Sequence, residues 1–291
     1  MLADVHVDAA AEPGSWKCYD RAEARLRTAL ADADRMSLDA VVVAGDLTRD
    51  GQADAFDAFD AVFEEFDRTP LCVPGNHDVP KDYRDAPAVD AFAERYTPGT
   101  LPYVDRVGAV DVVGLDSASA VTDGSDGGVA DRQIEWLDAA LLGVGEAVVV
   151  LHHNLSPQEA HASSMCLESH PVVGNAGPLA RTLAAHDVPL VLSGHAHWPT
   201  VGVVSGVREV VAPAVCSFPQ AGLLLSVGPR GTTVSLLPLA DREGLEAAYR
   251  AARRGPPRSR RIAANFREGY LEGFPLVDER RGDTTESVAD V

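Results

Sequence analysis

Short apolar runs alternate with longer amphipathic stretches along most of this chain, and several of the short runs stop at a polar or glycine-bearing tail. Leu2 to Val7 reads as a strand. Ser15 to Met36 reads as a helix, with Ala22, Leu26, Ala29 and Leu30 on one face and Arg and Asp on the other. Leu38 to Ala44 is a valine-rich buried strand. Asp54 to Phe66 is an amphipathic helix whose core face is Phe56, Phe59, Val62, Phe63 and Phe66. A strand at 71–73, a short helix from Ala88 to Tyr96 and a hairpin of Tyr103 to Arg106 with Ala109 to Leu115 follow. Asp131 to Leu142 is a helix anchored by Ile134, Trp136, Leu137 and Leu141. Ala147 to Leu151 is a strand, Leu179 to Ala185 a helix and Val188 to Leu192 a strand. The pattern then changes. Val201 to Val204, Val207 to Ala212, Gly222 to Val227 and Thr232 to Leu237 are short strands between Gly and Pro turns, which predicts a β-meander. Leu245 to Arg254 is a last helix, and residues from about Asp278 onward have the composition of a disordered tail.

Strands alternating with helices define an α/β protein. At 291 residues the chain is one large domain or two small ones, with 46% hydrophobic and 24% charged residues, ordinary for a soluble globular protein. Its net charge of -19 is not ordinary, and Lys17 and Lys81 are its only lysines. Such a surface repels nucleic acid at long range, which disfavours a nucleic-acid partner, and reads as a solubility adaptation, as to high salt. Arg253, Arg254, Arg258, Arg260 and Arg261 form the one basic cluster, in a tail expected to pair with the protein's own acidic face or to dock a phosphate-bearing partner. Cys18, Cys72, Cys166 and Cys216 are scattered, with no CxxC pair, and fit a reducing, cytoplasmic compartment. Neither a signal peptide nor a membrane span is visible.

The chemistry sits at the strand ends. Asp4 and His6 lie in the first strand. Gly45-Asp46 closes the second, Gly75-Asn76-His77-Asp78 the third, His152-His153 the fourth, and Gly194-His195-Ala196-His197 the fifth. Open α/β sheets place their ligands at this edge. Mixed nitrogen and oxygen donors without thiolate suit Mn, Fe, Ni or Zn. More donors converge than one ion takes, so two ions share the site with one carboxylate bridging, the arrangement that clamps an in-line displacement at phosphorus. Only Met1 to Ala3 precede Asp4: either the first strand is short or the start lies upstream, and a frayed terminus would hold ligands poorly. The turn-rich Asp123 to Gly128 loop lacks the closing glutamate of a calcium loop. The long loop 155–177, with His161 and His170, reads as a lid or substrate wall.

Asp4-x-His6, Gly45-Asp46, Gly75-Asn76-His77-Asp78, His152 and Gly194-His195-x-His197 resemble, in order, the motif set of the calcineurin-like metallophosphoesterase superfamily. The resemblance spans residues 1 to about 240, a catalytic domain, and leaves 241–291 as an Arg-rich helix and flexible tail. It implies two mixed β-sheets packed as a sandwich and flanked by helices, a four-layer fold. It implies that Asp4, His6, Asp46 and His197 hold one divalent metal, with manganese favoured. Asp46 then bridges to a second metal held by Asn76, His152 and His195. His153 is expected to point to the opposite side and serve as an outer partner. A bridging hydroxide would attack phosphorus, His77 would contact the phosphate or protonate the leaving group, and Asp78 would orient His77. The implied activity is hydrolysis of a small phosphodiester or phosphomonoester, of cyclic-nucleotide or glycerophosphodiester type. The alternatives are a metal-dependent nuclease and a non-catalytic metal-binding scaffold.

Overall fold

The computed structural model describes residues 1–156, 172–228, 230–274 and 276–279. His161, Cys166, His170 and the tail from 280 lie outside them. Three sheets in two layers form the centre. The first has six strands in the order β3-β4-β5-β6-β8-β7: β3 (Tyr103–Val107), β4 (Val110–Gly114), β5 (Glu146–Val150), β6 (Leu190–Ser193), β7 (Thr200–Val204) and β8 (Val207–Val211). β4, β5, β6 and β8 run parallel, with β3 and β7 antiparallel at the edges. The second layer holds the parallel pair β1 (Val42–Ala44) and β2 (Leu71–Val73), and the antiparallel set β9 (Ala221–Ser226), β10 (Thr233–Pro238) and β11 (Val277–Asp278). The N-terminal segment joins these two parts. Leu2 N donates to Val42 O at 2.8 Å, Ala44 N to Leu2 O at 2.8 Å, and Leu223 N to Met1 O at 2.9 Å.

Alternation of side chains explains the layers. Val112, Val148, Val150, Leu190, Leu192 and Val210 face the second layer and meet Ala3, Val73, Leu223 and Val234. Their neighbours Val113, Val149, Leu151 and Val191 face outward onto α4 (Asp131–Leu141) and α5 (Ala176–Ala185) through Leu137, Leu141, Leu179 and Leu183. On the other side Leu2, Val5, Val43 and Cys72 pack against α1 (Ala22–Arg35), α2 (Ala53–Glu64) and α3 (Val89–Tyr96) through Leu26, Leu30, Phe56, Phe59 and Phe92. Strands buried on both faces read as continuous apolar runs, as these do. The expected four-layer α/β sandwich is the fold observed.

Four details depart from the expectation. Leu2–Val7 touches the sheet only at Leu2 and Val7, because Asp4 and His6 both take left-handed backbone at φ 51°. It is nonetheless held firmly: His6 N donates to Asp46 O and Val7 N to Leu47 O, each at 2.9 Å. The four strands after the fifth site motif are not one meander. β7 and β8 complete the first sheet and β9 and β10 belong to the second layer, because Ala212–Gln220 crosses between layers, with Val215 N donating to Ala3 O at 3.0 Å. Asp278 lies in β11 rather than in a disordered tail. Finally, α6 (Arg242–Arg254) is followed by an unforeseen helix, α7 (Pro257–Arg267). Pro256-Pro257 reads as a helix breaker, yet a proline in the first turn loses no hydrogen bond and starts this helix. Ser259, Ile262, Ala263 and Asn265 form its buried face.

Ile262 is fully buried against the body of the protein. Ile262→Ala is expected to lower unfolding stability by about 2–5 kcal/mol in one cooperative transition. Urea titration followed by circular dichroism checks this; two separate transitions would show the helical pair to be independent.

Candidate metal centre

The residues singled out at the strand ends converge. Asp4, His6 and His197 bring donor atoms within 4.8 Å of one another, as do Asp4, Asp46 and His152. All are buried. Asp46 lies between the two halves: its Oδ2 is 3.4 Å from His6 Nε2 and 3.5 Å from His152 Nε2, and its Oδ1 accepts from His77 N at 2.9 Å. Asp4 Oδ1 is 3.2 Å from His197 Nε2, and Asp4 Oδ2 accepts from His195 N at 2.9 Å. His195 Nδ1 faces His152 Nε2 at 3.2 Å. Asn76 Oδ1 is buried with no hydrogen-bond partner among the described residues.

The glycines of the motifs make room for this crowding. A Cβ on Gly75 would lie 2.1 Å from Asp46 Oδ1, so no other residue fits there without moving the carboxylate. Gly45 has φ 81° and carries the His152 ring where its own side chain would be. Asp4, His6, Asp46, His195 and His197 themselves adopt positive φ, between 51° and 63°. Such backbone costs about 1–3 kcal/mol at a non-glycine residue and concentrates at functional sites.

Two of the imidazoles, His152 and His197, are fixed by their far nitrogen. His152 Nδ1 donates to Ala44 O at 2.8 Å, which turns Nε2 toward Asp46. His197 Nδ1 is 3.0 Å from Ser217 Oγ. His153 does not turn away, since its ring centre is 4.6 Å from that of His195. Its two nitrogens are occupied, however: Nε2 donates to Ser125 O at 3.1 Å and Nδ1 meets Ser117 Oγ at 2.9 Å. His152 is therefore the better placed donor. Asp78 does not orient His77. Its carboxylate accepts from Leu47 N, Thr48 N, Thr48 Oγ1 and Gly75 N at 3.0–3.1 Å, tying the Asp46 loop to the Asn76 loop. His77 is oriented instead by its Nδ1 donating to the Arg49 carbonyl. It is half-buried, whereas the other residues of the motif set are buried.

Several neighbours carry no local sequence signal. Lys17 Nζ lies 3.4 Å from His6 Nε2, and the Trp16 and Tyr19 rings flank His197 and His6 at 5.9 and 5.8 Å. Scarcity was the one available hint for Lys17. Buried Glu209 accepts from Leu155 N, Ser156 N and Ser193 Oγ at 2.7–2.8 Å, and so anchors the ends of β5 and β6.

The electrostatics fit a cation site. Burial pushes the Asp4 carboxyl up to about 6. Burial works against ionised Asp46 too, but His152, His77 and His6 hold its pKa well below the ordinary carboxylate value. Burial alone would push His152 down. The Asp46 carboxylate and its hydrogen bond outweigh that, and His152 rises to about 9. Two imidazole nitrogens and a carboxylate oxygen therefore face one another where positive charge is favoured. The donor set, the unpartnered Asn76 oxygen and this preference for positive charge all fit divalent ions held by Asp4, His6, Asp46 and His197 on one side and Asp46, Asn76, His152 and His195 on the other.

Carboxylate, amide and imidazole donors at the edge of a four-layer sandwich define the class of metal-assisted hydrolases. The calcineurin-like phosphoesterase family model matches residues 1–199, and the chain belongs to that family, hydrolases of phosphate esters. It is 29% identical over 228 residues to a probable cyclic nucleotide phosphodiesterase from Rhodococcus erythropolis, covering 74% of this chain and 69% of that protein. It is 27% identical to a cAMP/cGMP dual specificity phosphodiesterase from Mycobacterium tuberculosis, covering 72% of this chain and 65% of that protein. Among solved structures, a dimetal phosphatase from Danio rerio shares the fold with a TM-score of 0.62 at 16% identity, covering 82% of this chain and 95% of that one. A purple acid phosphatase from yellow lupin does so with 0.54 at 14% identity, covering 82% and 51%.

A protonated His152 must lose its proton to ligate a metal. Manganese affinity is therefore expected to rise as pH approaches 9, with proton release on binding at neutral pH. Titration calorimetry in buffers of different ionisation enthalpy measures both; a pH-independent affinity without proton release would contradict the assignment of His152.

Proposed function

We propose that this chain is a dimetal-dependent phosphodiesterase acting on cyclic nucleotides or similarly small phosphodiesters. The observation that carries the proposal is the position of Asp46 Oδ2, nearly equidistant from His6 and His152. A carboxylate shared in this way is what a pair of ions needs as a bridge. When bound, the two ions supply Lewis acidity at the phosphoryl oxygens and activate water at neutral pH. Manganese is our preferred pair for this donor set. The buried free thiols of Cys18, Cys72 and Cys216 suit a reducing, cytoplasmic setting. Among the described residues no helix is long and apolar enough to cross a membrane. The names of the two bacterial relatives favour cyclic nucleotides over other diesters.

The protein's own groups divide the remaining work. Asp78 keeps Asp46 and Asn76 in register through its backbone hydrogen bonds. His77, half-buried and with Nδ1 donating to Arg49 O, keeps Nε2 for a substrate group. Burial holds its pKa below the ordinary value, so it starts neutral, and an anionic phosphoryl group beside it favours the imidazolium that can protonate a leaving oxygen. Lys17, at the His6 end, is placed to meet a non-bridging phosphoryl oxygen.

The test is a set of initial rates on cyclic AMP, cyclic GMP, glycerophosphodiesters, bis-p-nitrophenyl phosphate, p-nitrophenyl phosphate and single-stranded DNA, with Mn²⁺ and with chelator. Chelator-sensitive hydrolysis that favours the small diesters is expected. Preference for DNA or for the monoester would replace the substrate class, and bound ions without turnover would indicate a scaffold. His77→Ala is expected to lower kcat on the preferred diester by about 10²–10⁴-fold with unchanged metal content. Lys17→Met is expected to raise KM by about tenfold, a loss of about 1.4 kcal/mol of phosphate binding, with a smaller effect on kcat.

A further inference from the structure

The helices α6 and α7 lie beyond the residues matched by the family model, and their composition reads as a tail. Their packing is not that of a tail. Ala248, Ala252, Ile262 and Ala263 form one buried cluster with Cys18, Trp198 and Phe218. Each of these last three is the immediate neighbour of a residue at the metal centre. Cys18 follows Lys17, Trp198 follows His197, and Phe218 follows Ser217, the hydroxyl against His197 Nδ1. Trp198 is fully buried and its ring centre is 5.5 Å from that of Tyr270, just past α7. The turn between the helices closes on the first loop as well, for a Cβ on Gly255 would lie 2.8 Å from Trp16 Cβ.

One polar contact reaches the metal-ligand loop itself. Arg258, in the first turn of α7, donates from Nη2 to His195 O at 3.0 Å and to Ala196 O at 2.6 Å. The loop it grips is a strained one. His195 and His197 both have left-handed φ, at 63° and 59°, and Ala196 N turns back to Gly194 O at 2.6 Å. That conformation sends the two imidazoles to opposite sides of the site, His195 toward His152 and His197 toward Asp4. Left-handed backbone persists at non-glycine residues only where the surroundings impose it. A guanidinium bridging two successive carbonyls is such a constraint, and a charged donor makes the stronger kind of hydrogen bond. Burial lowers the Arg258 pKa only to about 10, so the group stays charged at neutral pH.

We propose that the α6–α7 pair is an integral part of the metal centre and that Arg258 is a positioning residue which, through the carbonyls of His195 and Ala196, presents His195 and His197 to their two different ions. The inference rests on the dimetal reading. It predicts that ion affinity, not merely fold stability, depends on Arg258. Outer partners of metal ligands are worth about 10–100-fold in metal affinity when removed.

The experiment compares the full-length wild type with R258M, R258K and I262A. R258M keeps the apolar stem and loses the donors, R258K keeps charge and donors without the planar fork, and I262A loosens the same helix with Arg258 in place. Mn²⁺ affinity is measured by titration calorimetry, and thermal unfolding in chelator reports the stability of the metal-free protein. R258M is expected to bind Mn²⁺ about 10–100-fold more weakly, R258K to recover part of that loss, and I262A to lose stability in chelator while keeping near wild-type Mn²⁺ affinity. Wild-type affinity in R258M overturns the proposal. So does an equal loss of affinity in R258M and I262A, which would reduce Arg258 to general stability. Should R258M fail to fold, R258K decides: its affinity falls below that of wild type if the proposal holds and equals it if not. A wild type that binds no Mn²⁺ overturns the dimetal reading, and with it this one.

Discussion

Asp46 is the constraint from which the rest of the site follows. A carboxylate buried this deeply is costly unless positive groups surround it. Here His152 and His6 face one oxygen and the His77 amide donates to the other. Those partners arrive from three separate parts of the chain, so the sandwich must close correctly for any of them to be satisfied. The backbone of Gly75 has to pass so near Asp46 that a side chain is impossible, and Asp78 has to reach back to the amides on either side of the turn. The fold supplies the geometry by ending its buried strands at one edge, where the chain can turn sharply without breaking a ladder.

Satisfaction by histidines alone is incomplete in a way that points to cations. Asp46 pushes the His152 pKa up against its burial, so positive charge is favoured there, and Asn76 offers an oxygen to nothing among the described residues. The left-handed backbone at Asp4, His6, Asp46, His195 and His197 is energy held in reserve at the same spot. A ligand that binds only the folded site offsets such strain by mass action. On this reading the metals contribute to the fold as well as to the chemistry, and the C-terminal helices help to hold the loop in the shape that binding requires.

Much of this was legible in the chain because the signals are local. A glycine followed by aspartate, a glycine followed by asparagine and histidine, and a GHxH turn each sit at the end of an apolar run, and each directly follows a strand, β1, β2 and β6. The layers were legible too, since strands buried on both sides and helices with one apolar stripe leave distinct patterns. What escaped reading depends on distance through space. Ser217 meets the His195–His197 loop only after β7 and β8 have been placed, and Arg258 only after β9, β10 and α6 as well. Alternating apolar residues made Leu2–Val7 look like an ordinary strand, and nothing local announced the two left-handed residues in it. The proximity of Asp78 to His77 in sequence suggested a partnership that the turn does not allow, because the carboxylate is already committed to four donors.

Asp46 is proposed to join two ions in one site. Electron paramagnetic resonance of the protein loaded stepwise with Mn²⁺ tests it most directly. Two ions about 3.5–4 Å apart and bridged by a carboxylate are magnetically coupled. A spin-coupled dimanganese spectrum is expected in the fully loaded wild type, giving way to isolated Mn²⁺ signals in Asp46→Asn. Isolated Mn²⁺ signals in the fully loaded wild type would contradict the bridge.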